Sequence, residues 1–159
     1  MEVFSSDIPS QASSSEFIYG YYNLGIKFIP QKVGLITSVH FWLQPEGLLE
    51  NIWNIWLEKD LKVSAIATGT FDSLSFHGWQ TSTLENPQKV EVGNTYIVSV
   101  PAQLNYPFNH DFHREIIQSE NCIFPIDAGV FSYPYRKGEP PLSSFRASTY
   151  YRDFTFEAI

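Results

Sequence analysis

The sequence is poor in cysteine and in basic residues, and it has no long apolar run. Its 159 residues include one cysteine, Cys122, which excludes an internal disulfide. At this length a single hydrophobic core buries enough surface to fold without metal or disulfide cross-links. Lys and Arg number 10 against 17 Asp and Glu, and this net charge of −7 argues against a nucleic-acid groove, which needs clustered cations. No apolar run approaches the roughly 20 residues that cross a bilayer, so no membrane span is expected.

The N-terminal polar segment, residues 1–18, lacks both parts of a secretory signal. It is acidic, rich in serine and interrupted by Pro9, with neither a basic start nor an apolar stretch. We therefore expect a protein that stays inside the cell or one whose leader has been removed, and the sequence leaves the compartment open.

Helical periodicity is absent as well, and an alternating pattern takes its place. From Phe28 onward apolar and polar residues alternate with period two, and Gly, Pro or Asn interrupts them about every ten residues. This pattern predicts an all-β fold: one domain over residues 1–159, a two-sheet antiparallel β-sandwich, jelly-roll-like, of eight or nine strands. A long irregular loop is expected at 101–128, where three prolines break the alternation, and such loops often bind ligands or act as lids.

Aromatic residues are abundant, with 4 Trp, 9 Tyr and 13 Phe, or 16% of the chain. About half of these rings fit a sandwich core. In the strand at 33–43, alternation assigns one face to the core, and that face comprises Val33, Leu35, Thr37, Val39, Phe41 and Leu43. His40 and Trp42 fall on the other face, where Trp42 would stack on a sugar ring and His40 would hydrogen-bond beside it. The alternative is that this second face is packed and structural.

Tyrosines cluster near both ends of the predicted domain. Because terminal strands of sandwiches often pair, we expect some of these rings to gather, and they are Tyr19, Tyr21, Tyr22, Tyr133, Tyr135, Tyr150 and Tyr151. Tyr106 lies in the irregular loop. The predicted ligand-binding residues are therefore His40, Trp42, Tyr106, Tyr133 and Tyr150.

Motifs for catalysis or metal binding are weak. There is no nucleophile elbow, phosphate loop or HExxH motif. His110 and His113 have metal-ligand spacing around Asp111, but no third ligand is fixed, so a solvated polar loop is the favoured explanation. Cys122 has apolar neighbours, which predicts a small buried residue rather than a reactive thiol.

An ordered set of motifs resembles a bacterial domain-of-unknown-function family, the one numbered 4082. The distinctive elements are Gly-Trp-Gln at 78–80, Gly-x-Thr-Tyr-x-x-Ser at 93–99 and Tyr-Tyr-x-Asp at 150–153. The resemblance spans about residues 20–157, and it also rests on NLGIKF (23–28), VGLITSVHFW (33–42), IWLEKDLKVSAIATGTF (55–71) and GVFSY (129–133). It implies a sandwich of the carbohydrate-binding-module type. Family members usually belong to secreted proteins with adhesive or polysaccharide-related modules.

The resemblance also raises the question of calcium, which such sandwiches often hold between their first and last strands. Asp153 is the retained acidic position, and Asn23 stands where family members usually carry Glu. The chain departs from the family at two further polar positions, with His40 in place of Arg and Thr149 in place of Asn. We therefore expect a calcium site formed by Asp153 and Asn23, and this site would have one negative charge fewer than is usual in the family.

Three functions remain open at this point. The first is a non-catalytic binding module that recognises a carbohydrate, or another small molecule, through exposed aromatic side chains. The second is a small enzyme of cyclase or isomerase type, with acid–base catalysis in an aromatic pocket of the same scaffold. The third is a structural or adhesive subunit that associates with itself through an exposed apolar patch.

Overall fold

The computed structural model describes residues 2–3, 21–103 and 106–159, and this part of the chain forms strands and no helix. The described residues thus include no helix that could span a membrane. The strands, in chain order, are β1 (Tyr21–Pro30), β2 (Gly34–Leu43), β3 (Ile52–Lys59), β4 (Lys62–Thr70), β5 (Gly78–Val90), β6 (Thr95–Gln103), β7 (Ile117–Gln118), β8 (Cys122–Phe124), β9 (Gly129–Ser132) and β10 (Arg152–Ala158). The all-β prediction is confirmed, with ten strands instead of eight or nine. Apart from Glu2 and Val3, the predicted polar segment at 1–18 lies outside the described residues.

The strands form two antiparallel sheets. The large sheet has the order β4-β3-β6-β1-β8-β7, with β9 also paired to β1, and the small sheet has the order β10-β2-β5. Their inner faces interlock, since the ring centroids of Phe28 in β1 and Phe154 in β10 are 4.1 Å apart. Trp53 Nε1 in β3 donates a hydrogen bond to Ser82 Oγ in β5 at 2.9 Å. Together these contacts define the predicted two-sheet β-sandwich.

The central strand of the small sheet departs from simple alternation. A register irregularity between Ile36 and Ser38 shifts the pairing of β2 with β5. Since a bulge reverses the face on which later side chains lie, Ile36 points to the core together with Val39 and Phe41, and Leu35 stays half-buried. The predicted core face is therefore right for Val39, Phe41 and Leu43, whereas the other three predicted core residues, Val33, Leu35 and Thr37, are only half-buried.

The predicted irregular loop at 101–128 is partly regular. Residues 101–103 continue β6, and the short strands β7 and β8 pair with each other near its end. The irregular segment at 106–116 instead meets a second irregular segment at 133–151. There the backbones of Asn109 and Thr149 exchange two hydrogen bonds, of 3.1 and 2.9 Å. This contact between two loops frames the site described next.

Candidate aromatic pocket

An aromatic pocket of about 240 Å³ lies at one end of the inner face of the large sheet. Its lining residues come from two strands and two irregular segments, and they are Tyr22, Leu24, Tyr106, Phe131, Phe145 and Tyr150. None of the six carries a charge. We call this cavity the aromatic pocket.

Strand alternation places the first wall of the pocket. Leu24 shares its face of β1 with the core residues Ile26 and Phe28, so Tyr22 lies at the end of the same apolar row. Phe131 in β9 is paired with Leu24, and Ala102 in β6 is paired with Tyr22. Because Ala102 is small, it leaves space beside the tyrosine ring that a larger residue would fill.

The rings around the pocket are close but not stacked flat. The Tyr22 centroid lies 5.3 Å from that of Tyr106 and 6.2 Å from that of Phe131, with tilted or edge-on planes. Tyr106 and Tyr150 meet edge-on with their centroids 6.1 Å apart. Tilted contacts of this kind suit the ring quadrupoles, and they expose ring faces to the cavity.

The tyrosine hydroxyls of the pocket keep their protons. Burial raises the pKa of Tyr150 to about 12 and places that of Tyr106 well above its usual value. Burial also raises the pKa of Tyr22, whose hydroxyl hydrogen-bonds with that of Tyr106. Neutral hydroxyls both donate and accept hydrogen bonds, so the pocket combines apolar walls with polar, uncharged groups.

A second cavity of about 130 Å³, which we call the side recess, adjoins the pocket. The two share Tyr106, Phe145 and Tyr150, and the side recess adds Phe108, His110 and Ser148. His110 Nδ1 lies 2.8 Å from Ser148 Oγ, and Ser148 Oγ donates to the carbonyl oxygen of Phe145 at 2.7 Å. The side recess is therefore more polar than the aromatic pocket.

Backbone contacts fix the position of Tyr150. The guanidinium of Arg152 is fully buried and donates to the Tyr150 carbonyl oxygen at 3.0 Å and to that of Val100 at 3.1 Å. Burial lowers the pKa of Arg152 to about 9, and its guanidinium lies 5.3 Å from the centroid of the Phe41 ring. The arginine thus ties the pocket segment to β6 and to the core.

Three of the five predicted ligand-binding residues meet at this pocket. Tyr106 and Tyr150 line it, and the ring of Tyr133 lies beside it, 5.0 Å from that of Tyr22. The expected gathering of terminal tyrosines is thus found for some of them. Tyr151 lies instead next to Trp79, and the Tyr135 hydroxyl donates to Glu50. Tyr19 is outside the described residues.

His40 and Trp42 lie elsewhere, on the outer face of the small sheet. His40 is not an exposed residue, since it is 7% exposed and its ring nitrogens lie 2.9 and 2.8 Å from the hydroxyls of Thr81 and Thr155. Both threonines flank it because β2 is the central strand. Half-buried Trp42 meets Trp79 edge-on at 5.8 Å and lies near His77. The structure therefore does not bring this pair to the tyrosines.

Asn23 and Asp153 do not form one site. Leu24 and Phe154 point inward, so their neighbours Asn23 and Asp153 lie on the outer faces of opposite sheets. The Asp153 carboxylate accepts hydrogen bonds from the backbone N–H groups of Glu2, Val3 and Phe154. Asn23 donates to the carbonyl oxygen of Glu139. The sandwich itself thus separates the two expected calcium ligands.

The other residues considered for metal binding or reactivity, His110, His113 and Cys122, do not form a common site. His113 is fully buried and its ring nitrogens have no hydrogen-bond partner among the described residues, whereas His110 faces Ser148. In that part of the chain no three His, Cys, Asp or Glu side chains are placed to share a metal ion. Cys122 is buried, as predicted, and burial raises its pKa.

A larger cleft of about 430 Å³ runs between the edge strands β4 and β5. Hydroxyl, amide and carboxylate side chains dominate its lining, which includes Thr68, Asp72, Thr83, Glu85, Asn86 and Gln88. Its one aromatic lining residue, Trp53, is only 4% exposed. This cleft offers no ring face for stacking, which is why the smaller aromatic pocket is the better candidate.

Sequence reasoning missed half of the pocket. Phe131 lies in the short strand β9, and its position next to Leu24 comes from the pairing of β9 with β1, which no pattern within the strand indicates. Phe108, His110 and Phe145 belong to irregular segments, where no periodicity indicates which way a side chain points. Long-range backbone hydrogen bonds bring these segments together, between Asn109 and Thr149, Asp111 and Arg146, and His113 and Ala147.

Comparison with known proteins identifies a family to which the chain is similar. No curated protein and no solved structure matches the chain. A family model described as "Domain of unknown function (DUF4082)" matches residues 6–152, which include every described residue that lines the pocket. The chain therefore belongs to the family of domains of unknown function numbered 4082.

Proposed function

We propose that this domain is a non-catalytic binding module that recognises a carbohydrate in the aromatic pocket. The observation that carries the proposal is a cavity of about 240 Å³ whose described lining has four tyrosine or phenylalanine rings around Tyr22, three tyrosine hydroxyls and no charged side chain. Sites for drug-sized ligands usually measure about 300–1,000 Å³, so a single sugar residue is the better match in size.

The chemistry of the lining supports a sugar. One face of a pyranose presents C–H groups, which pack on aromatic rings, while its hydroxyls need hydrogen-bond partners. Tyr106 and Tyr150 supply both a ring and a hydroxyl. Phe145 lines the pocket and is 56% exposed, and Tyr133 beside it is 53% exposed, so rings are also present at the mouth.

The two alternative functions have less support. Acid–base catalysis needs a group that exchanges its proton near neutral pH. The pKa of Tyr150 is raised to about 12 and that of Tyr106 is raised as well, so their hydroxyls stay protonated. Self-association stays a prediction, which light scattering of the purified domain tests directly.

The proposed function is tested by calorimetric titration with a panel of neutral monosaccharides and by affinity electrophoresis in neutral polysaccharides. The informative variant is Phe145→Ala, and its matched control is Phe76→Ala. Both remove an exposed phenylalanine ring, but Phe76, 79% exposed, lies near His77 and away from the pocket. Loss of one stacking ring is expected to weaken binding roughly tenfold for Phe145→Ala and to leave it unchanged for Phe76→Ala.

Two results would overturn the proposal. One is the absence of any retention or heat of binding for the folded wild-type domain across the panel. The other is an equal loss of affinity in both phenylalanine variants, because the pocket would then not be where the ligand binds.

A further inference from the structure

The aromatic pocket and its side recess are adjoining cavities of different chemistry, and we call them the two lobes of the site. Tyr106, Phe145 and Tyr150 belong to both lobes. The larger lobe, about 240 Å³, is otherwise closed by Tyr22, Leu24 and Phe131, whereas the smaller, about 130 Å³, contains His110 and Ser148. A ligand that fills both lobes must therefore carry a small side group with its own polar atoms.

Hydrogen bonding in the side recess determines the tautomer of His110. The Ser148 hydroxyl has one proton, and it donates that proton to the carbonyl oxygen of Phe145 at 2.7 Å. With the Ser148 proton assigned in this way, His110 Nδ1, 2.8 Å from Ser148 Oγ, is the donor of the second hydrogen bond. In the neutral imidazole this leaves Nε2 as an acceptor, and Nε2 has no hydrogen-bond partner among the described residues.

The rest of the side recess is apolar. The Phe108 ring lies 4.9 Å from that of His110, and the Phe145 ring lies 6.0 Å from it, so two aromatic rings flank the imidazole. A side group that fits this recess combines an N–H donor, for Nε2, with a methyl group, for the two phenylalanines. An acetamido group has both.

We propose that the preferred ligand is a neutral N-acetylated hexosamine, with its ring in the aromatic pocket and its acetamido group in the side recess. This inference rests on the proposed function and specifies the substrate class of the same site. Among the described residues no acidic side chain lines either lobe, so a free amino sugar, which carries a positive charge, gains no ion pair with them.

The experiment compares three series of monosaccharides by calorimetry on the folded wild-type domain. These are glucose, galactose and mannose, their N-acetylated 2-amino derivatives, and the corresponding free amino sugars. At least one N-acetylated sugar is expected to bind about tenfold more tightly than its parent hexose, because it adds one hydrogen bond and one buried methyl group. The free amino sugars are expected to bind no better than the parent hexoses.

A variant at the side recess assigns the preference to His110. His110→Phe keeps a ring between Phe108 and Phe145 but removes the acceptor, so the N-acetylated sugar should lose the part of its preference over the parent hexose that comes from the hydrogen bond. Equal affinities of hexoses and N-acetylated sugars for the wild type, or tighter binding of the free amino sugars, would overturn the inference and leave the proposed function standing. Absence of binding by all nine sugars would overturn both.

Discussion

At the residue scale, two histidines, His40 and His113, are buried in different surroundings. His40 has a threonine hydroxyl at each ring nitrogen, whereas His113 is fully buried with no partner for either nitrogen among the described residues. Burial lowers the pKa of each to about 4, below the usual 6.5. Both residues are therefore neutral in the folded protein at physiological pH.

The lowered pKa of His113 predicts a loss of stability in mild acid. Between pH 6.5 and 4 the unfolded chain binds a proton that the folded protein excludes, so its contribution is complete above pH 6.5 and falls as the pH approaches 4. For His113 alone the loss is on the order of 3 kcal/mol. Urea unfolding across this range measures it.

Two variants separate His113 from other causes of acid sensitivity. His113→Leu removes the proton-binding group together with two unpaired polar atoms, so it should reduce the pH dependence to the part that His40 and other groups contribute, without lowering stability at pH 7. His77→Leu, at an exposed position, should keep the wild-type dependence. An unchanged pH dependence in His113→Leu would contradict this account of the buried ring.

At the element scale, the strands could be predicted, but their faces could be predicted only in part. Alternation located β2 correctly, yet the bulge before Ser38 moved Ile36 into the core and Leu35 out of it. Sequence patterns do not signal a bulge that has no glycine, because it depends on pairing with a distant strand. The same limit explains why His40 was predicted to be an exposed ligand-binding residue. The hydroxyls that its ring contacts belong to threonines in two other strands, β5 and β10.

Close packing between β9 and the pocket segment gives a prediction for one glycine. A methyl group on Gly129 would overlap the carbonyl oxygen of Ser148, so Gly129→Ala must displace the segment that carries Phe145, Ser148 and Tyr150. We expect a loss of about 1–3 kcal/mol in stability, with weaker sugar binding by the molecules that remain folded.

The matched control is Gly69→Ala in β4. There a methyl group would overlap the indole of Trp53, in another part of the sandwich. Stability should fall by a similar amount, but the affinity of the folded fraction should not change. Calorimetric titration below the melting range of each variant measures both effects. Equal binding in the Gly129 variant and the wild type would mean that the segment does not shape the site.

At the scale of the whole molecule, the class of fold could be predicted from the sequence, whereas the predicted site residues stay a prediction. The large number of aromatic residues indicated ring clusters, and two of the predicted ligand-binding residues, Tyr106 and Tyr150, line one cavity. The cavity itself could not be predicted, because four separate parts of the chain form it, two of them irregular. Its position depends on long-range contacts such as that between Asn109 and Thr149.

The distribution of charge predicts how binding responds to salt. The chain carries a net charge of −7, but none of the described residues that line the aromatic pocket is charged. Since salt screens interactions between charges, the affinity for a neutral sugar should change less than about twofold between roughly 0.05 and 0.5 M NaCl. A steep decrease with salt would indicate a charged ligand, and calorimetry at the two concentrations distinguishes these cases.

The central claim, that the aromatic pocket binds a sugar, is tested most directly by mapping amide chemical shifts during titration with N-acetylated monosaccharides. The account predicts shifts concentrated at Tyr22, Tyr106, Phe131, Phe145 and Tyr150, with none at Trp42 or Trp79. Shifts centred on Trp42 and Trp79, or no shifts at saturating sugar, would contradict it.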